Sequence, residues 1–169
     1  LVVMGTRGES GSRGVIFGSN TVFAMEKIRE CPILAIPEKF RFSPPKEIVF
    51  ATNFEDVFKR KELNYLIEII KMYGGAIRVL YVSKKDTSLK EKQKENKELL
   101  DQIFRNIDHS FHILTHRDVS EGISSFVESR KSDMIAFINR KHFFFGSVFS
   151  KPLVKEIGYD ATTPILALH

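Results

Sequence analysis

The chain has no tryptophan, a single cysteine and no apolar run approaching the ~20 residues that a membrane-crossing helix needs. With Cys31 alone, an internal disulfide framework is excluded and a reducing compartment, most simply the cytoplasm, is expected. Beside Pro32, the thiol reads as a small buried hydrophobe. Catalytic signatures are equally scarce, since no GxSxG elbow, no HExxH and no CxxC occurs. Of the five histidines, His109, His112 and His116 cluster while His142 and His169 stand apart, and no neighbouring Cys or close-set Asp completes a zinc pattern. Glu55 and Asp56 are expected to cap the helix that follows them, and Asp133 precedes a strand. No nucleophile and base pair emerges, so neither a catalytic residue nor a metal ligand is assigned.

The formal net charge is +5, from 26 Lys and Arg against 21 Asp and Glu. A basic balance invites a nucleic-acid partner, but the densest stretch, residues 84–98, mixes both signs at helical spacing. Lys94 and Glu98 stand at i,i+4, and Leu89, Leu100, Ile103, Phe104 and Ile107 supply an apolar stripe. That is the pattern of a solvated helix face, and neither nucleic acid nor membrane is expected as a partner.

With 169 residues, 43% of them hydrophobic and 28% charged, the chain can build one full core and part of another. Strand and helix signals alternate, which argues for βαβ units and a parallel sheet. A strand at 1–4, a glycine-rich loop, a helix over about 19–30 and a strand at 33–36 come first. Pro44 and Pro45 then break regular structure. Five strands follow at 48–51, 76–82, 110–114, 134–138 and 165–168, separated by four helices. The first helix carries Leu63, Leu66, Ile67 and Ile70 on one stripe and stops at Gly74-Gly75. The third carries Val119, Ile123, Phe126 and Val127, with Asp118 and Glu121 spaced as a capping box. The expected architecture is an α/β tandem repeat built on an open five-stranded parallel sheet with helices on both faces. Residues 1–38 form the carboxyl-terminal part of a first unit, 39–46 a linker, and 47–169 a complete second unit. Because Leu1 falls inside a strand pattern, further sequence is expected upstream of it.

The two units share an ending. Residues 1–37 and 134–169 each read as strand, loop, helix and then Pro-Ile-Leu-Ala followed by Ile36 or Leu168. Laying Leu1 on Met134 places Gly5 on Ile138, Thr6 on Asn139, Arg7 on Arg140 and Gly8 on Lys141. After a one-residue deletion, Gly18-Ser19 fall on Ser150-Lys151.

In the first copy, Gly5-x2-Gly8-x9-Gly18-Ser19 links a strand to a helix, the context in which backbone N–H groups and a helix dipole cradle a phosphate. It is neither the GxGxxG dinucleotide fingerprint nor a Walker loop, since no GK[ST] follows. Gly5, Gly8 and Gly18 would admit the phosphates, Ser19 could donate its hydroxyl, and the N–H groups of Ser19, Asn20 and Thr21 lie in the first helical turn. Met4 ends the strand, and Arg7 and Arg13 could neutralise phosphate charge.

This spacing resembles the ATP-binding signature of the universal stress protein (UspA) family. Cys31-Pro32-Ile33-Leu34-Ala35-Ile36-Pro37 looks like the closing strand of such a domain, and residues 47–54 look like the opening strand of another. The resemblance implies a Rossmann-like, adenine nucleotide alpha hydrolase-like fold. It also implies ATP bound by the first unit only, through Met4, Gly5, Arg7, Gly8, Gly18, Ser19, Asn20 and Thr21. In the family the base and ribose are held by the first two strands of the same domain, so ATP binding here is expected to need the upstream segment or a partner chain that replaces it. The second unit departs from the pattern: all three glycines are lost, Asn53 stands where an Asp is usual, and Phe143-Phe144-Phe145 adds bulk. Two readings follow, a nucleotide-binding stress-response or signalling protein and a non-enzymatic dimerisation or interaction module. Such domains pair side by side, as a homodimer or within one chain, with 33–36 and 165–168 as the natural edges.

Overall fold

The computed structural model of the chain describes residues 1–5, 19–85, 88–139 and 163–169. Seven strands, β1 (Val2–Gly5), β2 (Ile33–Ile36), β3 (Glu47–Ala51), β4 (Ala76–Ser83), β5 (Asp108–Thr115), β6 (Met134–Ile138) and β7 (Ile165–Leu168), form one sheet. Their order is β1-β2-β7-β6-β3-β4-β5. The helices among the described residues are α1 (Ser19–Lys27), α2 (Arg60–Tyr73), α3 (Glu91–Phe104) and α4 (Val119–Arg130). The helix expected between β6 and β7 lies outside the described residues.

The sheet corrects the expectation of five strands. β7, β6, β3, β4 and β5 are parallel neighbours, but β1 and β2 extend the same sheet across an antiparallel β2–β7 seam. The physical reason lies in the two apolar closing strands, whose N–H and C=O groups would otherwise be left unpaired, and each strand satisfies the other. Ile33 faces Ala167, Leu34 faces Leu166 and Ala35 faces Ile165. Because Ile33, Leu34 and Ala35 correspond to Ile165, Leu166 and Ala167 in the repeat, this register is symmetric about the Leu34–Leu166 pair. The flanking pairs have equivalent registers too: Val2 sits beside Ile33 and Gly5 beside Ile36, as Ile135 sits beside Ile165 and Ile138 beside Leu168. Even the lead-in bonds match, Val2 N–H to Pro32 O and Ile135 N–H to Pro164 O, both 2.9 Å.

Alternation along the strands divides the core in two. One face gathers Ile33, Ala35, Val49, Ala51, Leu80, Val82, Ile135, Phe137, Ile165 and Ala167 under Met25 of α1 and Ile123 and Val127 of α4. The other gathers Ile48, Phe50, Ile77, Val79, Ala136, Leu166 and Leu168 under the Leu63, Leu66, Ile67 and Ile70 stripe of α2 and Leu100 and Phe104 of α3. Helices therefore cover both faces.

Local chemistry sets the helix ends. In α2, the Glu62 carboxylate accepts from Lys59 N–H at 2.9 Å, which places the start at Arg60 and leaves Glu55 and Asp56 outside the helix they were expected to cap. Glu55 instead lies 3.7 Å from the Lys90 ammonium. Gly74 adopts φ 63°, the left-handed stop anticipated, and Gly75 follows with its N–H on Ile70 O. In α4, Asp118 accepts from Ser120 and Glu121 N–H groups as expected. The reciprocal half of the box is replaced, since Asp118 N–H donates to the His116 ring at 3.2 Å.

The window 84–98 is not wholly a solvated face. Gln93 and Asn96 are each 4% exposed, on the same stripe as Leu100 and Phe104. Phe54, at φ 57°, turns the chain sharply after β3, and the carbonyls of Asn53 and Phe54 accept from Gln93 Nε2 and Asn96 Nδ2, both at 2.8 Å. Within the turn, Thr52 Oγ1 accepts from Phe54 N–H and Asn53 Oδ1 from Glu55 N–H. Truncating Asn96 to Ala leaves a buried carbonyl unpaired, and a loss of about 1–3 kcal/mol is expected in urea unfolding. Gly75→Ala is also expected to destabilise, because a Cβ there would lie 2.6 Å from the Lys46 carbonyl oxygen of the paired backbone.

Candidate functional site

The candidate cradle lies where β1 ends and α1 begins. Gly5 closes β1 and is exposed, Met4 packs half-buried against the α1 face of the core, and Ser19 opens α1. Arg7, Gly8, Gly18 and Arg13 lie outside the described residues. Asn20 is exposed in the first turn, whereas Thr21 is 3% exposed and its hydroxyl donates to Gly5 O at 2.8 Å. The Thr21 side chain thus ties the first turn of α1 to the end of β1. Its backbone N–H belongs to the first turn, where helix geometry provides no internal acceptor.

Charge around the helix ends separates α1 from its neighbours. α2, α3 and α4 carry Glu62, Glu91 and Glu121 in their first turns, while α1 carries no acidic residue there. An acid at that position would partly neutralise the N-terminal dipole and repel an anion, and α1 has none.

The corresponding place in the second unit is built differently. Ile138, the counterpart of Gly5, is 6% exposed and packs in the α2 face of the core. Asn139, the counterpart of Thr6, is 4% exposed; its N–H donates to Leu168 O, its side-chain amide donates to Met25 O of α1, and its carbonyl accepts from Arg29. Arg29 also lies 3.5 Å from His169 Nδ1. This bracket had no sequence signal, because it joins residues 110 and 114 positions apart. Lys141, Ser150, Lys151 and Phe143 to Phe145 lie outside the described residues.

Elsewhere the titratable groups form structural networks. The Asp133 carboxylate accepts from the Lys46 and Glu47 N–H groups at 2.9 Å each, fixing β3 against β6. Glu47 is shared by Arg78 at 2.9 Å and Arg130 at 3.5 Å. Arg78 also reaches Ser110, whose hydroxyl meets His112 Nε2 at 2.8 Å. His109 bonds Asp101 and Ile107 O. Among the described residues no group of three or more His, Cys, Asp or Glu could hold a metal ion.

No protein-family model and no curated protein matches the sequence. Solved structures do match. A universal stress protein from Archaeoglobus fulgidus DSM 4304 superimposes with a TM-score of 0.66 at 15% identity, covering 98% of this chain and 59% of that one. The universal stress protein from Archaeoglobus fulgidus in complex with dAMP gives 0.54 at 18% identity, covering 75% of this chain and 100% of that one. A universal stress protein in complex with cAMP also gives 0.54, at 10% identity, covering 75% and 98%. The chain therefore has the fold of universal stress proteins, and spans 59% of the length of the first of them. Among its described residues no helix is long and apolar enough to cross a membrane.

His112 yields a pH prediction. Burial, followed by the nearby Arg130 and Arg78 charges, lowers its pKa from the ordinary imidazole value. His169 is lowered likewise, by burial and then Arg29. On acidification the unfolded chain therefore takes up these protons first, at about pH 6.5, so stability present above that pH declines as pH falls towards the folded pKa values. His112→Gln should flatten this acid-side decline, measured as urea midpoints between about pH 7.5 and 5. An unchanged slope would remove His112 from the account.

Proposed function

We propose that the chain is a universal stress protein that binds a nucleotide, ATP by preference, in the first unit. The observation that carries this reading is the Thr21 to Gly5 hydrogen bond, which ties the end of β1 to a helix whose first turn has no acidic residue, with Gly8 and Gly18 in the sequence between them. Glycines at those positions let backbone amides approach phosphate oxygens. Met4, Gly5, Arg7, Gly8, Gly18, Ser19, Asn20 and Thr21 surround the ligand. Thr21 contributes its N–H while its hydroxyl holds the loop closed. Each charge-assisted donor contributes about 1.5–3 kcal/mol and the helix end about 0.3–1. The dAMP and cAMP complexes of the structural neighbours support a nucleotide as the ligand class.

In this reading residues 1–38 are part of a first nucleotide-binding domain, 39–46 a linker, and 47–169 a second domain that does not bind nucleotide. The second domain serves as a built-in pairing partner, in the reducing cytoplasm that suits a lone Cys31. The symmetric β2–β7 register supports this pairing role. It also favours a second reading, in which the whole chain is an interaction module and the glycine loop is a relic.

Equilibrium ATP binding separates the two. Wild-type protein carrying the upstream segment should bind, and Gly8→Lys in it should weaken binding by at least about tenfold, since a side chain in the phosphate path costs about 1–2 kcal/mol or more. Thr21→Val, which keeps the shape but loses the clasp, should weaken it less and preserve the fold. No binding by wild type up to millimolar ATP would leave the interaction module as the surviving reading.

A further inference from the structure

Away from the cradle, β5 brings a serine, a histidine and an arginine into one bonded chain. Residues two apart on a strand share a face, so Ser110, His112 and Leu114 lie on the side of the sheet where Leu114 packs against the α4 cluster. Ser110 sits opposite Arg78 in the β4–β5 register, and Arg78 Nη1 donates to its hydroxyl oxygen at 3.2 Å. The same oxygen is 2.8 Å from His112 Nε2. β5 ends the sheet, and Ser110 and His112 are half-buried rather than enclosed. The Phe126 ring of α4 lies 5.0 Å from the imidazole, with the Arg130 guanidinium 5.2 Å from the centre of Phe126.

The direction of these bonds follows from the donors. A guanidinium only donates, so Arg78 occupies a lone pair of Ser110 Oγ and the hydroxyl proton must go elsewhere. Burial, then Arg130 and Arg78, holds His112 below its ordinary pKa, with Glu47 acting the other way. The ring is therefore neutral at pH 7 and has one nitrogen able to accept. With Nε2 as that nitrogen, the Ser110 proton has an acceptor; the other tautomer would aim two donors at one oxygen and leave the proton no described partner. The charged groups around the pair are Arg78 of β4, Glu47 of β3, Asp108 of β5 and Arg130 of α4. A hydroxyl bonded at once to a cation and to a neutral imidazole is arranged as a nucleophile with its base.

We propose that Ser110 is an acyl-acceptor site, its Oγ taking the acyl group of an activated ester with His112 as general base and Arg78 polarising the hydroxyl. The bond from Oγ to the carbonyl carbon forms as the bond from that carbon to the leaving oxygen breaks. The hydroxyl proton passes to His112 Nε2 and from there to the leaving oxygen, so serine and ester give O-acyl serine and alcohol. The Phe126 ring beside His112 suits an aromatic or other apolar ester. The proposal is independent of the nucleotide reading.

The test is reaction of the whole chain with para-nitrophenyl acetate, followed by mass spectrometry of tryptic peptides. Peptide 106–117 should gain an acetyl group at Ser110 at least about tenfold faster than peptide 118–130, whose Ser124 and Ser129 hydroxyls donate to backbone carbonyls. The rate at Ser110 should rise with pH to a plateau, through a midpoint below about 6.5, as His112 loses its proton. Ser110→Ala should abolish the labelling of peptide 106–117, and His112→Gln should slow it at least about tenfold. Equal labelling of the two peptides, labelling of Ser110 that persists in His112→Gln, or a rate that climbs in proportion to hydroxide without a plateau would overturn the proposal. Should His112→Gln fail to fold, the wild-type pH profile and the ratio between peptides still decide.

Discussion

The antiparallel contact between β2 and β7 is the constraint on which the rest of the sheet depends. It brings β1, α1 and β2 into the same sheet and core as the strands from β3 onward. The pairing works because large faces small on the α1 side, with Ile33 opposite Ala167 and Ala35 opposite Ile165, while the two leucines meet on the other side. A two-fold relation follows from placing one short apolar sequence against its own repeat, since an antiparallel match of like with like has its symmetry axis through the central pair. Side chains that correspond in the repeat then point to the same face, so α1 joins the same apolar cluster as α4.

That placement ties the cradle to the seam. α1 is nine residues, about 13 Å long. Near its first turn Thr21 holds Gly5, and near its last turn Met25 O accepts from Asn139, with Arg29 just beyond bonding the Asn139 carbonyl. A helix anchored at both ends cannot shift at one without loading the other. Any ligand that moves the α1 N-terminus therefore acts on residues at the end of β6, across the seam, through a rod with few internal freedoms. Besides the β2–β7 pairing, α1 thus joins the end of β1 to the end of β6.

Much of this was legible because the relevant signals are local. Apolar runs such as Ile33 to Ile36 and Met134 to Ile138, bounded by Pro or charge, declare buried strands, and the Leu63 to Ile70 stripe with Gly74-Gly75 declares a helix and its stop. The seam edges were readable because the two closing strands are nearly identical. Strand number was not, since whether two edges meet in one sheet is a tertiary outcome. Gln93 and Asn96 were hidden for a different reason. In a window dense with Lys and Glu they look solvated, and only the left-handed turn at Phe54, which directs two carbonyls at α3, makes their burial favourable. Glu55 and Asp56 had the composition of a cap but stood too far from Arg60. At the site, the strand-loop-helix context was visible and Thr21 was expected there through its N–H, but nothing local shows that Gly5 O lies within reach of its hydroxyl.

The divergence of the two copies has a structural logic. At the end of β6, Ile138 is packed beneath the α2 face and Asn139 is held by bonds to α1 and β7, so the backbone there is committed on every side. A glycine at Ile138 would remove a buried side chain at about 2–5 kcal/mol, and replacing Asn139 would release the Met25 carbonyl. At the end of β1, by contrast, Gly5 is exposed and its carbonyl accepts from Thr21. One strand end is thus built into the core and tied to α1 and β7, whereas the other is exposed and tied to α1 through its carbonyl.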